Sequence, residues 1–119
     1  MGQQWGYHLI LDVRGCELAR ATDPEYIKFF VQELVRRIEM IPYGDIIVAH
    51  FAEGTDLAGW TVVQLIQTSS IMGHFVDLTG DLYLDVFSCK EFDKDLVVSL
   101  VEEYFYPNNV KETYMTRQA

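Results

Sequence analysis

The sequence predicts an α+β domain in which two helices cover one face of an antiparallel sheet. Segments with the period of a strand and two longer segments with the period of a helix follow one another in the order β-α-β-β-β-β-α-β. Several strands are joined by short turns, and strands joined in this way run antiparallel. Two amphipathic helices also need a sheet face against which to bury their apolar stripes. We therefore expect a two-layer α/β sandwich with both helices on the same face.

The size and composition of the chain predict one domain over residues 1–119, since half of the residues are hydrophobic. No apolar run reaches the length of a membrane span, and the N-terminus has no signal-peptide pattern. We therefore expect a cytoplasmic protein with no membrane contact, in which Cys16 and Cys89 stay reduced. The net charge of −9 disfavours nucleic acid and anionic membranes as partners.

The first strand and the first helix are predicted within residues 7–41. YHLILDVRG, residues 7–15, reads as a strand, and the segment 22–40 reads as a helix. Asp23 is a suitable N-cap and Pro24 suits the first helical position. PYG, residues 42–44, is expected to end the helix. Its apolar stripe is formed by Ile27, Phe30, Val31, Leu34, Ile38 and Ile41.

Five more strands and a second helix complete the predicted domain. Strands are expected at residues 45–53, 60–67, 71–78 and 82–89, and after the break at PNN a last strand is expected at 110–116. The strand at 82–89 alternates clearly between its two faces. The second helix lies in EFDKDLVVSLVEEYFY, with a stripe formed by Leu96, Val97, Leu100, Val101, Tyr104 and Phe105.

A sheet covered by helices on one face leaves its other face open to solvent or to a partner. Phe51, Trp60, Tyr83 and Phe87 are candidates for this open face. Because an exposed apolar face is unusual on so small a chain, we expect a homodimer or a higher homo-oligomer.

Ser69, His74 and Cys89 are the candidates for reactive groups. On adjacent antiparallel strands they would supply a hydroxyl, an imidazole and a thiol, which can act as nucleophile, base and proton donor. A serine in a turn, a hydrogen-bonded histidine and a small buried cysteine are also common in proteins where they have no catalytic role. The residues alone therefore favour the non-catalytic interpretation. A hydrolytic triad is disfavoured because no G-x-S-x-G elbow surrounds Ser69. The three histidines are scattered, and we expect no metal site.

Polar residues between 59 and 89 follow a fixed spacing. GWT supplies Gly59 and Thr61, Ser69 follows Thr61 after eight residues, His74 comes five later, and DVFSC ends at Cys89. This pattern resembles the core of the small prokaryotic S-adenosylmethionine decarboxylases, in which G-x-[ST] is followed by E-S-H, a histidine and D-[VL]-F-x-C. YHLILDVRGCE also resembles the opening strand of that family, H-L-x-x-[DE]-x-x-[GE]-C, so the resemblance covers nearly the whole chain.

The resemblance implies a proenzyme that cleaves itself between Thr68 and Ser69. The Ser69 hydroxyl would attack the Thr68 carbonyl to form an ester, and elimination would leave a covalent pyruvoyl group on the new N-terminus. Thr61 would stabilise the tetrahedral species and His74 would remove the α-proton. The pyruvoyl group would act as an electron sink for S-adenosylmethionine decarboxylation through a Schiff base. Cys89 would then protonate the α-carbon, giving the aminopropyl donor for spermidine synthesis.

The chain departs from the family pattern at two places. Thr68 and Ser70 stand where the family has Glu and His, and residues 75–78 read FVDL in place of T-W-P-E. These departures leave two alternatives open. One is an uncleaved homologue that binds S-adenosylmethionine or a partner without decarboxylation. The other is a pyruvoyl decarboxylase of ornithine or arginine. Phe51 and Phe87 are candidates for substrate binding.

Overall fold

The computed structural model describes residues 4–119 and confirms the two-layer architecture. Its sheet has the order β2-β3-β4-β5-β1-β6, and every neighbouring pair is antiparallel. A single-turn helix, α1, was not predicted. The elements are β1 (Gly6–Arg14), α1 (Leu18–Ala21), α2 (Pro24–Arg37), β2 (Pro42–Phe51), β3 (Gly59–Ile66), β4 (Ser69–Val76), β5 (Leu82–Ser88), α3 (Lys94–Phe105) and β6 (Asn109–Arg117).

Both long helices begin where an aspartate caps them. The Asp23 side chain accepts hydrogen bonds from the backbone N–H groups of Glu25 and Tyr26, and Asp93 does the same at the start of α3. A cap of this kind stabilises a helix by about 1 kcal/mol. The apolar stripes of α2 and α3 pack on the inner face of the sheet. This core includes Leu9, Leu11, Phe30, Leu34, Val62, Ile71, Phe75, Leu84, Leu100 and Phe105.

The prediction that residues 42–44 break the chain after the first helix is wrong. Helix α2 already ends at Arg37, and the chain reverses at Glu39, whose φ is 60°. Pro42 and Tyr43 then belong to β2 and pair with the end of β3. Gly44 has a φ of 72° and lies within the register shift between Tyr43 and Ile47, so this glycine forms a bulge inside a strand.

The face of the sheet opposite the helices, called the outer face below, carries exposed apolar side chains. Strand pairing and alternation place Ile47, Phe51, Leu65, Met72 and Tyr83 there, and each is 45–61% exposed. Phe87 lies on the same face, because it pairs with His8 and Ser70.

Trp60 lies on the helix side of the sheet, so its predicted place on the outer face is wrong. It pairs with the fully buried Phe75 and packs against the core. Its neighbour in sequence, Thr61, pairs with His74 and points to the outer face. Because successive strand residues alternate between faces, Trp60 and Thr61 cannot share one. Across residues 4–119, no helix has both the length and the apolar character needed to span a bilayer.

Candidate active site

Strand β4 carries the predicted reactive residues at its two ends. Ser69 begins the strand and pairs with Ile66 and Ser88, whereas His74 lies near its end and pairs with Thr61 and Tyr83. Five residues of extended chain span about 17 Å. Within one chain, the structure therefore forms two groups: the cleavage end, made of Thr68, Ser69 and Cys89, and the Thr61–His74 pair.

At the cleavage end, the carbonyl that Ser69 would attack already has a hydrogen-bond donor. The backbone N–H of Cys89 donates to the Thr68 carbonyl oxygen at a distance of 3.0 Å. An N–H fixed at this position can stabilise negative charge that develops on the oxygen during attack. The amide is supplied by the first residue after β5, so the antiparallel pairing of β4 with β5 positions it.

The backbone of Ser69 is in an unusual conformation. Its φ is 157°, a value that side-chain-bearing residues seldom adopt. Such backbone conformations cost about 1–3 kcal/mol each and are concentrated at functional sites. Here the unfavourable torsion lies on the Ser69 side of the Thr68–Ser69 peptide bond.

A short chain of hydrogen bonds holds the Thr68 side chain. The fully buried Ser88 hydroxyl donates to Thr68 Oγ1 at 2.8 Å. The Thr68 hydroxyl in turn donates to Met40 Sδ at 3.4 Å. Ser88 Oγ in turn accepts from the backbone N–H of Lys90 at 2.9 Å. Sequence reasoning missed Ser88 because it occupies the variable position of the D-[VL]-F-x-C motif.

The Thr61–His74 pair is joined by a direct hydrogen bond. Thr61 Oγ1 lies 2.8 Å from His74 Nδ1, and His74 Nε2 lies 3.2 Å from the Leu57 carbonyl oxygen. A carbonyl can only accept, so Nε2 carries the proton and, in the neutral ring, Nδ1 accepts from the Thr61 hydroxyl. The imidazole is thus held in one tautomer, with its basic nitrogen directed at a hydroxyl.

Gly59 permits the close strand approach beside this pair. A Cβ on Gly59 would overlap the backbone carbonyl of Phe75 in β4. The glycine of the G-x-[ST] motif therefore lets β3 and β4 approach closely next to Thr61 and His74.

The two cysteines have different environments. Cys16 is 4% exposed, and burial together with the nearby Asp81 carboxylate raises the pKa of its thiol to about 12. Cys89 is exposed and follows β5 at the cleavage end. Both cysteines are free thiols in this structure. Cys89 is therefore the thiol available for proton transfer.

The two aromatic residues predicted to bind substrate lie at different ends of the outer face. Phe87 pairs with Ser70 next to the cleavage end, and with Trp5 and Arg117 it lines a cavity of about 390 Å³. The Arg117 guanidinium lies 5.3 Å from the centre of the Phe87 ring. Phe51 pairs with Gly59 near the Thr61–His74 pair. Trp5 was not predicted as a site residue, because one aromatic residue near a terminus carries no motif.

His50 forms a second polar group that sequence reasoning did not identify. Its Nε2 lies 2.6 Å from Asp77 Oδ2 and its Nδ1 lies 2.9 Å from Glu53 Oε1. The hydrogen bond to Asp77, and to a smaller extent that to Glu53, raises the pKa of the imidazole above its ordinary value of 6.5. Asp77 stands in the segment that replaces T-W-P-E, and it is bound to His50 on the helix side of the sheet.

Comparisons with known proteins agree on one family. The family model described as S-adenosylmethionine decarboxylase matches residues 7–118. S-adenosylmethionine decarboxylase proenzymes from the Langeland and Hall strains of Clostridium botulinum are each 27% identical over 99 residues, covering 82% of this chain and 81% of the relative. The crystal structure of the adenosylmethionine decarboxylase from Aquifex aeolicus covers 99% of this chain and 94% of its own, with a TM-score of 0.83 and 18% identity.

The fold and the two groups on β4 thus define an α+β enzyme domain with a single antiparallel sheet. The chain belongs to the S-adenosylmethionine decarboxylase family, and it is a carboxy-lyase of that family, divergent around Ser69. The resemblance stated from its motifs is confirmed.

Proposed function

We propose that this chain is a self-processing, pyruvoyl-dependent decarboxylase of S-adenosylmethionine that cuts itself between Thr68 and Ser69. The observation that carries the proposal is the geometry of this one bond. Its carbonyl oxygen accepts from the Cys89 N–H, and the residue after it is the serine with a φ of 157°. A hydroxyl nucleophile, an oxyanion donor and a backbone torsion relieved by cleavage favour the N-to-O shift.

Self-cleavage begins when Ser69 Oγ forms a bond to the Thr68 carbonyl carbon. The C–N bond then breaks, and the hydroxyl proton passes to the released nitrogen, so that an ester replaces the amide. A base removes the Ser69 α-proton, the Cβ–O bond breaks, and Thr68 leaves as a carboxylate. The remaining enamine tautomerises to an imine, and water hydrolyses it to a keto group with release of ammonia. His74 is the base proposed for the α-proton, and Thr61 the hydroxyl that assists it.

One chain alone separates Ser69 from His74 by about 17 Å of strand. We therefore infer that a second copy supplies the Thr61–His74 pair to each cleavage end. The two copies would be related by a two-fold axis that lies between their sheets and runs perpendicular to β4 at the level of Met72. The β4 strands of the two copies then face each other and run in opposite directions. The Ser69 end of one copy then faces the His74 end of the other. Packed sheets lie about 10 Å apart, a gap across which the His74 side chain on the outer face of one copy can extend towards the Ser69 α-carbon of the other.

The apolar outer face supports this arrangement in a homodimer. Met72, midway between the two groups, is 45% exposed, and Leu65 and Tyr83 beside it are 50% and 48% exposed. Apolar side chains exposed over several neighbouring strands gain stability when a second copy covers them. The same packing places Phe51 of one copy at the strand end where Phe87 of the other copy lies, with three strand spacings between them.

The residues at the cleavage end fit the group that cleavage would create. A pyruvoyl group supplies an electrophilic carbonyl that accepts electrons as carbon dioxide leaves the substrate. The exposed Cys89 thiol, adjacent to this position, is the proposed donor of the proton to the α-carbon. Trp5 and Phe87 offer ring faces for a planar base, where stacking contributes about 1 kcal/mol beyond burial.

Co-expression of two inactive variants tests the shared site. Ser69→Ala lacks the nucleophile but keeps His74, and His74→Ala lacks the base but keeps Ser69. In a mixed dimer, the Ser69→Ala chain supplies its imidazole to the cleavage end of the His74→Ala chain. We expect tagged His74→Ala chains to be cut only when Ser69→Ala chains are present. Co-expression with the double variant Ser69→Ala/His74→Ala is the control, and equal cleavage with either partner would contradict the shared site.

The choice of substrate needs a separate measurement, since exposed Leu78 replaces the last residue of T-W-P-E and Asp77 is bound to His50. We expect the cleaved protein to release carbon dioxide from carboxyl-labelled S-adenosylmethionine and not from ornithine or arginine. If carbon dioxide were released only from ornithine or arginine, the proposed substrate would be wrong, but pyruvoyl-dependent decarboxylation would still hold. With S-adenosylmethionine as substrate, the product would be an aminopropyl donor for spermidine synthesis.

A further inference from the structure

Ser88 is a fully buried hydroxyl residue directly opposite the start of β4. Its side chain is bound on two sides: it accepts from the Lys90 N–H at 2.9 Å and donates to Thr68 Oγ1 at 2.8 Å. A buried hydroxyl is favourable only when its hydrogen bonds are formed. Ser88 therefore has a fixed orientation, and it transmits this orientation to Thr68.

Thr68 is the residue whose carbonyl would react. Its hydroxyl is held by Ser88 on one side and lies 3.4 Å from Met40 Sδ on the other. Its carbonyl oxygen accepts from the N–H of Cys89, the residue that follows Ser88. The side chain and the carbonyl of Thr68 are thus bound to Ser88 and Cys89, two successive residues at the end of β5. Rotation of the peptide plane would have to break these bonds together.

We propose that Ser88 is a positioning residue for self-cleavage, acting through its hydrogen bond to the Thr68 side chain. It holds the Thr68 carbonyl against the Cys89 N–H, so that Ser69 Oγ meets a carbonyl whose oxygen already has its donor. The proposal rests on the self-cleavage proposed above. It also explains why a threonine suits position 68 in this chain, since its hydroxyl can both accept from Ser88 and donate to the Met40 sulfur.

If Ser88 had only a structural role, its effect would be on the turn between β5 and α3 and not on Thr68. Its bond to the Lys90 N–H stabilises the turn between β5 and α3, and loss of that bond would lower stability without involving Thr68. Substitutions at Thr68 distinguish the positioning role from the structural role. Thr68→Val removes the hydroxyl with little change of shape and leaves the Ser88–Lys90 bond in place. Thr68→Ser keeps the hydroxyl and removes only a methyl group.

The first test is the rate of precursor cleavage, followed by intact mass after cell-free synthesis. We expect Ser88→Ala and Thr68→Val each to slow cleavage at least tenfold. Because both substitutions break the same hydrogen bond, the double variant should be no slower than the slower single variant. Thr68→Ser, which keeps the hydroxyl, should cleave within about threefold of the wild-type rate. Melting temperatures are measured in parallel. Wild-type cleavage rates in Ser88→Ala or in Thr68→Val would overturn the proposal while leaving self-cleavage intact.

The second test does not depend on cleavage. In the Ser69→Ala chain, hydrogen exchange of the Cys89 amide reports how firmly the Thr68 carbonyl is held. We expect Ser88→Ala and Thr68→Val to speed this exchange at least tenfold, while amides in strand β1, which is paired on both sides, keep their wild-type rates. An unchanged Cys89 amide overturns the positioning role even if the wild-type chain never cleaves. Absence of wild-type cleavage with a faster Cys89 amide would refute the proposed function alone.

Discussion

At the scale of single residues, Cys89 contributes two separate groups to the cleavage end. Its backbone N–H donates to the Thr68 carbonyl, and its exposed thiol is the proposed proton donor during turnover. Replacement of the side chain leaves the N–H in place. The two contributions can therefore be measured independently.

Cys89→Ala should leave self-cleavage within about threefold of wild type and lower the rate of decarboxylation at least tenfold, because general acid catalysis contributes about 100-fold or more. The measurements are intact mass for cleavage and carbon dioxide release for turnover. Cys16→Ala is the control, since that thiol is buried and its pKa is raised to about 12. Unchanged turnover in Cys89→Ala would remove the thiol from the mechanism.

His50 gives the protein a pH-dependent contribution to stability. Its pKa is raised in the folded state by the carboxylates of Asp77 and Glu53. A raised folded pKa means that the stabilisation is complete below the ordinary value of 6.5 and is lost as the pH rises through the folded value. Urea unfolding of the Ser69→Ala chain should show stability falling from pH 6 to pH 9. His50→Gln should flatten this fall, and an equally steep fall in that variant would contradict the assignment.

At the scale of strands and helices, most of the fold followed from local patterns. Asp23 and Pro24 marked the start of α2, and alternation marked β5. The segment at 42–44 was misread because proline, tyrosine and glycine are equally typical of turns and of a bulged edge strand. Trp60 was misplaced because an aromatic residue fits either face, and only pairing with β4 decides between them.

Gly59 is the position at which the packing of two strands tolerates no side chain. Because a Cβ there would overlap the Phe75 carbonyl, Gly59→Ala should lower the free energy of unfolding by about 3 kcal/mol. Gly54→Ala is a matched control: its Cβ meets open space, and its φ of 80° costs an alanine about 1–2 kcal/mol. Urea unfolding in the Ser69→Ala background measures both. Equal losses at the two positions would contradict the close approach of β3 and β4.

At the scale of the whole molecule, the sequence predicted candidate site residues but not where the fold places them. The motif spacing predicted Thr61, Ser69, His74 and Cys89 as candidates, and their positions along the chain suggested one cluster. The register of β4 places Ser69 and His74 at opposite ends of the strand, and spacing alone carries no such information. Ser88 and Trp5 lie beside these candidates only through tertiary contacts, which no sequence pattern predicts.

The central claim concerns the bond between Thr68 and Ser69, and intact-mass spectrometry of the purified protein tests it most directly. We predict two fragments, residues 1–68 and residues 69–119, with the second fragment resistant to Edman degradation because its N-terminus is a keto group. Ser69→Ala should stay whole, and Ser70→Ala, altered at the neighbouring hydroxyl, should still be cut. A wild-type chain that remains a single species of 13.8 kDa after long incubation would contradict the account.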